Sequence, residues 1–264
     1  MTITIPLFTG DESADLTFHR APANDAAPEQ RPCVLIFPGG GYRRLSIEKE
    51  GLVPASWLNT LGISAAILRY PVAPKRHPAQ LNSAQRAVRL LRAQSDELGI
   101  DPDRLAVWGF SAGGHLASMI ATLGDDQSSS EDDLAGTISA RVDRAIMAYP
   151  VLSLVPPCHQ GSSDALLGES VDQTARRALS TPGLVSPQTP PSFLFHTAED
   201  AAVPVQGVYD FANGCAEHGV PHEVHVLQAG PHGVGLAVGR GNEALQKWPN
   251  ALREWLRDWV TAVG

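Results

Sequence analysis

The chain is short of cysteine, of long apolar runs and of positive charge, and each shortage removes a class of function. Its three cysteines, Cys33, Cys158 and Cys215, are too few and too scattered for a disulfide framework or a zinc site, so they read as buried or partly buried thiols. No metal is expected. No apolar stretch approaches the ~20 residues needed to span a bilayer. The opening Met1-Thr-Ile-Thr-Ile-Pro6 has neither a basic flank nor a long apolar core, so it does not read as an export signal, and a cytoplasmic location is expected. With 20 Lys and Arg against 28 Asp and Glu, the formal net charge is −8, which would repel nucleic acid and anionic membrane alike. There is no internal repeat.

What is present is enough for one large α/β domain: 264 residues, 43% of them hydrophobic. Strand-like and helix-like segments alternate from about residue 33 onward, the pattern of a mostly parallel sheet with crossover helices. Two short segments, Thr2–Phe8 and Ala14–His19, precede it as an antiparallel edge. A Pro/Ala-rich loop, Ala21 to Pro32, leads to Cys33-Val-Leu-Ile-Phe37, a continuous apolar run suited to a buried strand. Helix is expected around Gly51–Leu61, and strand at Ile63–Tyr70. In 81–98, Leu81, Ala84, Val88, Leu91 and Leu98 share one helical face, with Arg86, Arg89 and Arg92 off it. Further strands are expected at Arg104–Trp108, Arg144–Leu154, Ser192–His196 and Glu223–Gln228. Helices are expected at His115–Leu123 and Gln206–His218, and at the C-terminus through Leu252, Trp255, Leu256 and Trp259. Residues 124–137, rich in serine and acid, read as a solvated loop. The Pro-rich stretch 155–191 has too little apolar content for its own core and reads as a cap inserted into the single domain 1–264.

The chemistry is concentrated at a few loops. Gly109-Phe110-Ser111-Ala112-Gly113 has the Gly-x-Ser-x-Gly form of a nucleophile elbow. By composition alone such a pattern arises in roughly one chain in ten of this length. Here it lies between an expected strand and an expected helix, as the turn demands. A serine hydroxyl needs a base to take its proton and a carboxylate to orient that base. After an elbow the order is Ser, then Asp or Glu, then His, each just past a strand end. Glu199 and Asp200 both follow the strand ending at His196, and His232 follows the strand ending at Gln228 within Gly230-Pro-His-Gly233. The other histidines have structural readings. His222 and His225 fall on opposite faces of a strand, His115 starts a buried helix and His196 lies inside a strand. Pro38-Gly39-Gly40-Gly41-Tyr42 lacks the glycine spacing of a dinucleotide loop and the Lys-Ser/Thr of a P-loop. Ahead of a serine nucleophile it reads as an oxyanion loop, with Gly40, Gly41 and Ala112 as backbone donors. Tyr42 is a candidate for shaping the substrate pocket.

Four segments together resemble a known group: Pro38-Gly-Gly-Gly-Tyr42, Gly109-Phe-Ser-Ala-Gly-Gly-His-Leu-Ala-Ser118, His196-Thr-Ala-Glu-Asp-Ala-Ala-Val-Pro-Val205 and His232-Gly-Val-Gly-Leu236. They are similar to the acetyl-xylan and feruloyl esterase-like branch of the α/β-hydrolases, related to the hormone-sensitive-lipase esterases, over about residues 33 to 260. The resemblance implies the α/β-hydrolase fold, a nucleophile at Ser111, the carboxylate at Asp200 rather than Glu199, and the base at His232. It implies no cofactor. Pro38 stands where the hormone-sensitive-lipase relatives carry histidine, which favours the xylan-esterase side. The expected activity is hydrolysis of short acyl esters, most plausibly acetylated xylo-oligosaccharides, with a general carboxylesterase or feruloyl esterase as the alternative. An amidase, a peptidase or a non-catalytic binding protein on the same fold ranks lower. Relatives are commonly dimers, and no sequence feature decides between monomer and homodimer here.

Overall fold

Residues 33–37 have nothing polar to present to water, and they form the inside of β3 (Arg31–Phe37), where every residue is buried. Successive side chains of a strand point to opposite faces, and β3 divides accordingly. Cys33, Leu35 and Phe37 enter one core, and Val34 and Ile36 enter the other. The computed structural model describes residues 2–8, 11–22, 30–127, 132–134, 136–238 and 243–261. Part of the expected Pro/Ala-rich loop (23–29) and part of the acidic loop (128–131 and 135) lie outside the described residues.

The other strands are β1 (Thr2–Phe8), β2 (Asp11–His19), β4 (Ser64–Arg69), β5 (Ile100–Phe110), β6 (Arg144–Ala148), β7 (Ser192–Thr197) and β8 (His222–Leu227). They join in one sheet of order β1-β2-β4-β3-β5-β6-β7-β8. The β1–β2 and β2–β4 pairs are antiparallel, and the rest of the sheet is parallel. Helices cover both faces, as a parallel sheet requires. On one side α2 (Ala79–Ala93), α4 (Ala112–Leu123) and α7 (Gln206–Glu217) contribute Leu81, Val88, Leu116 and Phe211. On the other, α1 (Val53–Thr60) and α8 (Trp248–Thr261) contribute Leu58, Leu252 and Leu256. Trp248 stacks on Phe195 with centroids 4.5 Å apart and meets Trp108 edge-on at 6.1 Å, fixing α8 to the middle of the sheet.

Several expectations shift in detail. The helix expected over 81–98 breaks at Gln94 into α2 and α3 (Ser95–Leu98), which Gly99 ends in a left-handed conformation. Strand β5 begins four residues earlier than expected because Ile100 already pairs with Arg31. Strand β6 stops at Ala148, six residues short of its expected end, since Tyr149 takes a positive φ of 38° and Pro150 follows. Arg89 is buried rather than off the apolar face, 1% exposed, and pairs with Asp132 at 2.6 Å and Asp125 at 2.9 Å. Asp132 in turn makes the expected solvated loop partly interior. Between β6 and β7 the chain forms α5 (Gln160–Leu167), α6 (Gln173–Ala178) and a short 3₁₀ turn at Thr181–Leu184.

Candidate active site

The turn from β5 into α4 is so tight that it admits no side chain at two of its glycines. A Cβ on Gly109 would lie 2.0 Å from the Gly113 carbonyl oxygen, and one on Gly113 would lie 2.0 Å from that of Phe37. Ser111 sits between them at φ 54°, ψ −118°, a left-handed conformation costly for a residue with a side chain. Its N–H donates to the Ala148 carbonyl at 3.0 Å, and its carbonyl accepts from Val151 at 3.0 Å. The strained residue is thus held from the neighbouring strand end, with its hydroxyl at the carboxyl edge of the sheet.

Asp200 and His232 arrive from the ends of β7 and β8. The Nδ1 of His232 lies 2.6 Å from Asp200 Oδ2, and its Nε2 lies 2.8 Å from Ser111 Oγ. The carboxylate can only accept, so Nδ1 carries the proton and Nε2 is left to accept the serine O–H. Asp200 is itself fixed, its Oδ1 taking the N–H groups of Ala202 and Val203, each at 2.9 Å. Burial pushes the Asp200 carboxyl up, but the His232 bond and the two backbone donors outweigh it and hold the group below its ordinary value. Glu199 is exposed and takes no part in this line of bonds. The structure therefore brings Ser111, Asp200 and His232 together and leaves Glu199 out.

The glycine loop after β3 faces the serine. Gly40 and Gly41 have φ of 135° and 68°. The N–H of Gly39 is engaged by Glu50 Oε2 at 3.0 Å, Gly40 and Gly41 line the cleft that holds Ser111, and Ala112 opens α4 directly after the serine. Tyr42 is placed differently from its expected role at the pocket. It is fully buried, and its hydroxyl lies 2.9 Å from His115 Nδ1. The Nε2 of that ring contacts the Leu179 carbonyl at 2.8 Å, which can only accept, so Nδ1 accepts the Tyr42 O–H. Tyr42 thus ties the glycine loop to α4 and, being fully buried, is not among the residues that line the serine cleft. Tyr70 adds a second brace by donating to the Pro38 carbonyl.

Sequence reasoning missed three residues here. Glu50, only 4% exposed, accepts the Gly39 N–H with one oxygen and the Tyr149 O–H, at 2.8 Å, with the other. The Tyr149 ring meets His232 edge-on at 5.1 Å. His159, the N-cap of α5, lines the same cleft as Ser111 and His232. A Tyr-Pro pair closing a strand was the one available signal for Tyr149. Nothing local marks Glu50 or His159. The cleft holds about 560 Å³. Among the described residues no group of three His, Cys, Asp or Glu is placed to hold a metal, and no helix is long and apolar enough to cross a membrane.

A mostly parallel sheet carrying a strained serine at a strand-to-helix turn, with histidine and aspartate from the next strand ends, defines an α/β-hydrolase. More particularly, the chain belongs to the BD-FAE family, whose profile matches residues 21–214. It is 34% identical over 212 residues to endo-1,4-beta-xylanase B of Butyrivibrio fibrisolvens, covering 79% of this chain and 33% of that protein. It is 27% identical over 236 residues to an acetylxylan esterase of Xylanibacter ruminicola, covering 87% of this chain and 45% of the relative. The chain thus spans less than half the length of both curated relatives. The crystal structure of an acetyl ester-xyloside bifunctional hydrolase from Caldicellulosiruptor lactoaceticus superposes with a TM-score of 0.89 at 39% identity, covering 97% of this chain and 96% of the other.

Proposed function

We propose that the protein is a serine-dependent carboxylic ester hydrolase that removes short acyl groups, acetyl above all, from xylo-oligosaccharides. The observation that carries the reading is the unbroken line Ser111 Oγ–His232–Asp200, with contacts of 2.8 and 2.6 Å and one consistent tautomer. In this reading Ser111 attacks the acyl carbon while His232 Nε2 takes its proton. The oxyanion that forms is held by the N–H groups of Gly40, Gly41 and Ala112. His232 then gives the proton to the departing sugar hydroxyl, and activates a water that clears the acyl-enzyme in the same way. Asp200 keeps the imidazole in its tautomer and stabilises the imidazolium. The stretch 155–191 acts as a cap that brings His159 to the cleft. An acetyl ester-xyloside bifunctional hydrolase and an acetylxylan esterase among the similar proteins support the choice of acetylated xylose units.

The deciding experiment is acetate release from acetylated xylo-oligosaccharides beside a simple aryl acetate and methyl ferulate, with Ser111→Ala as control. Release from the sugar that is lost in Ser111→Ala is the expected result. Turnover of the aryl acetate alone would keep the mechanism and remove the sugar. Activity retained in Ser111→Ala would overturn the assignment of the nucleophile.

A further inference from the structure

We infer that the alcohol part of the substrate is anionic: the cleft is suited to an acylated sugar that carries a carboxylate, such as a uronic acid unit. This rests on the ester-hydrolase reading and narrows its substrate class.

The first ground is the sign of charge at the site. The chain as a whole carries a formal −8. Yet the cleft that holds Ser111 and His232 is lined by Arg43, Arg44 and Lys49, and among the described residues its one carboxylate is Glu50. Both oxygens of Glu50 already accept bonds, from Gly39 and Tyr149, so it has little left to offer a ligand. Lys49 Nζ donates to the Gly233 carbonyl at 2.7 Å, which seats its charge beside the His232 loop. A concave surface of net positive charge concentrates anionic ligands, the more so against a background that repels them.

The second ground is the direction of the hydrogen bonds. The N–H of Ser162 donates to His159 Nδ1 at 3.2 Å, so the neutral ring carries its proton on Nε2. Burial lowers the pKa of His159 and so favours that neutral form. Its other edge is therefore a donor, like the arginines and the lysine. A neutral sugar offers hydroxyls, which both give and accept. A carboxylate only accepts, and it matches a guanidinium two bonds at a time.

The third ground is continuity. Arg43 also lines an adjoining recess of about 700 Å³ together with Arg76. Of the two carboxylates there, Asp164 is tied to Arg176 at 2.8 Å, which leaves Glu169. Arg43 and Arg76 thus carry guanidinium groups beyond the serine cleft, into a recess that also holds Glu169.

The test uses two aryl acetates that differ in one charge, 4-acetoxybenzoate and methyl 4-acetoxybenzoate, on the wild-type protein and on the Arg43→Gln/Arg44→Gln double variant. The ratio of their kcat/KM values cancels any general damage to the enzyme. We expect the anionic-to-neutral ratio to fall at least about fivefold in the double variant, the sum of two exposed charge contacts. The ratio in Arg43→Lys/Arg44→Lys, which keeps the charge and gives up the paired bonds, should lie between the wild-type and glutamine values, and the wild-type ratio should shrink with added salt. An unchanged ratio in the glutamine variant would overturn the inference while leaving the esterase intact. Binding of glucuronic acid against xylose to the Ser111→Ala protein gives a readout without turnover. Preference for the acid, lost in the double glutamine variant, would uphold the charge assignment even if ester hydrolysis failed. Equal or absent binding of both would count against it.

Discussion

Tyr149 donates its phenolic proton to the buried carboxylate of Glu50 at 2.8 Å, while the same oxygen accepts the Gly235 N–H at 3.0 Å. Through Glu50 the chain of bonds continues to the Gly39 N–H. The glycine loop after β3 and the loop that carries His232 are therefore one hydrogen-bonded unit. Removing its centre should loosen both at once, and a displacement of about 1 Å in a catalytic constellation costs roughly 100-fold. Glu50→Ala is expected to lower kcat by about that factor. Tyr149→Phe, which keeps the ring against His232, should lower it about tenfold with KM little changed. Steady-state kinetics with a melting curve for each variant checks this. Full kcat at a reduced melting temperature would mean that Glu50 serves the fold alone.

The orienting carboxylate gives a sharper contrast. Asp200→Asn replaces an acceptor with an amide that can donate to Nδ1, which favours the tautomer unable to take the Ser111 proton. In a serine protease triad the same change costs ~10⁴ in kcat, and a loss of several thousand-fold is expected here. Glu199→Gln, one residue away and exposed, should be indistinguishable from wild type. Burst kinetics with an aryl acetate separates a lost acylation step from a folding defect. Equal losses in the two variants would overturn the choice of Asp200.

The difference between these two groups of residues shows what the sequence makes legible. Ser111 announces itself because the turn that exposes it needs glycine at fixed offsets, a purely local demand. His232 follows because it sits just past an expected strand, whereas the same position leaves Glu199 and Asp200 both open, and only the family resemblance chose Asp200. Glu50 has partners 11 and 99 residues away in the chain, and its role exists only once the sheet has set β3 and β6 on either side of β5. Arg89 misleads for a similar reason. An arginine on a helix reads as exposed until a distant loop supplies Asp132 and Asp125. Tyr42 lies in a loop that sequence places correctly, but which way its ring turns is decided by His115 and Tyr70 beneath it. Periodicity reports faces of elements, and contacts between elements stay hidden from it.

The elbow glycines predict a steric contrast. A Cβ on Gly113 would stand 2.0 Å from the Phe37 carbonyl oxygen, a backbone atom of the central strand that cannot swing aside. On Gly183 a Cβ would meet nothing within 4 Å. Gly113→Ala should lose about 3 kcal/mol or more, the upper range for overpacking, together with most of its activity. Gly183→Ala should stay near wild type. Chemical denaturation of both proteins is the check, and a stable, active Gly113→Ala would show that the turn has more freedom than its contacts imply.

Acid sensitivity should trace in part to His115. The ring is wholly buried, between Tyr42 and the Leu179 carbonyl, and burial lowers its pKa from 6.5 to about 4. Between those two values the unfolded chain binds a proton that the folded protein refuses, so folding stability must fall as pH drops from 6.5 toward 4 and then level off for this group. At 1.36 kcal/mol per pKa unit the full effect is on the order of 3 kcal/mol. The other histidines with lowered values, His77 and His196 among them, act in the same direction. Asp200 adds its share lower down. Its carboxyl is depressed in the folded state, so its contribution is complete above the ordinary carboxylate range and is lost only as pH falls through that depressed value. His115→Gln removes the titrating group while keeping a polar side chain beneath the oxyanion loop. The variant is expected to be less stable at pH 7 and to show a flatter loss of melting temperature between pH 6.5 and 4. An identical slope in the two proteins would mean that the buried imidazole admits its proton in the folded state, and that the tautomer bracing Tyr42 is not held as the geometry requires.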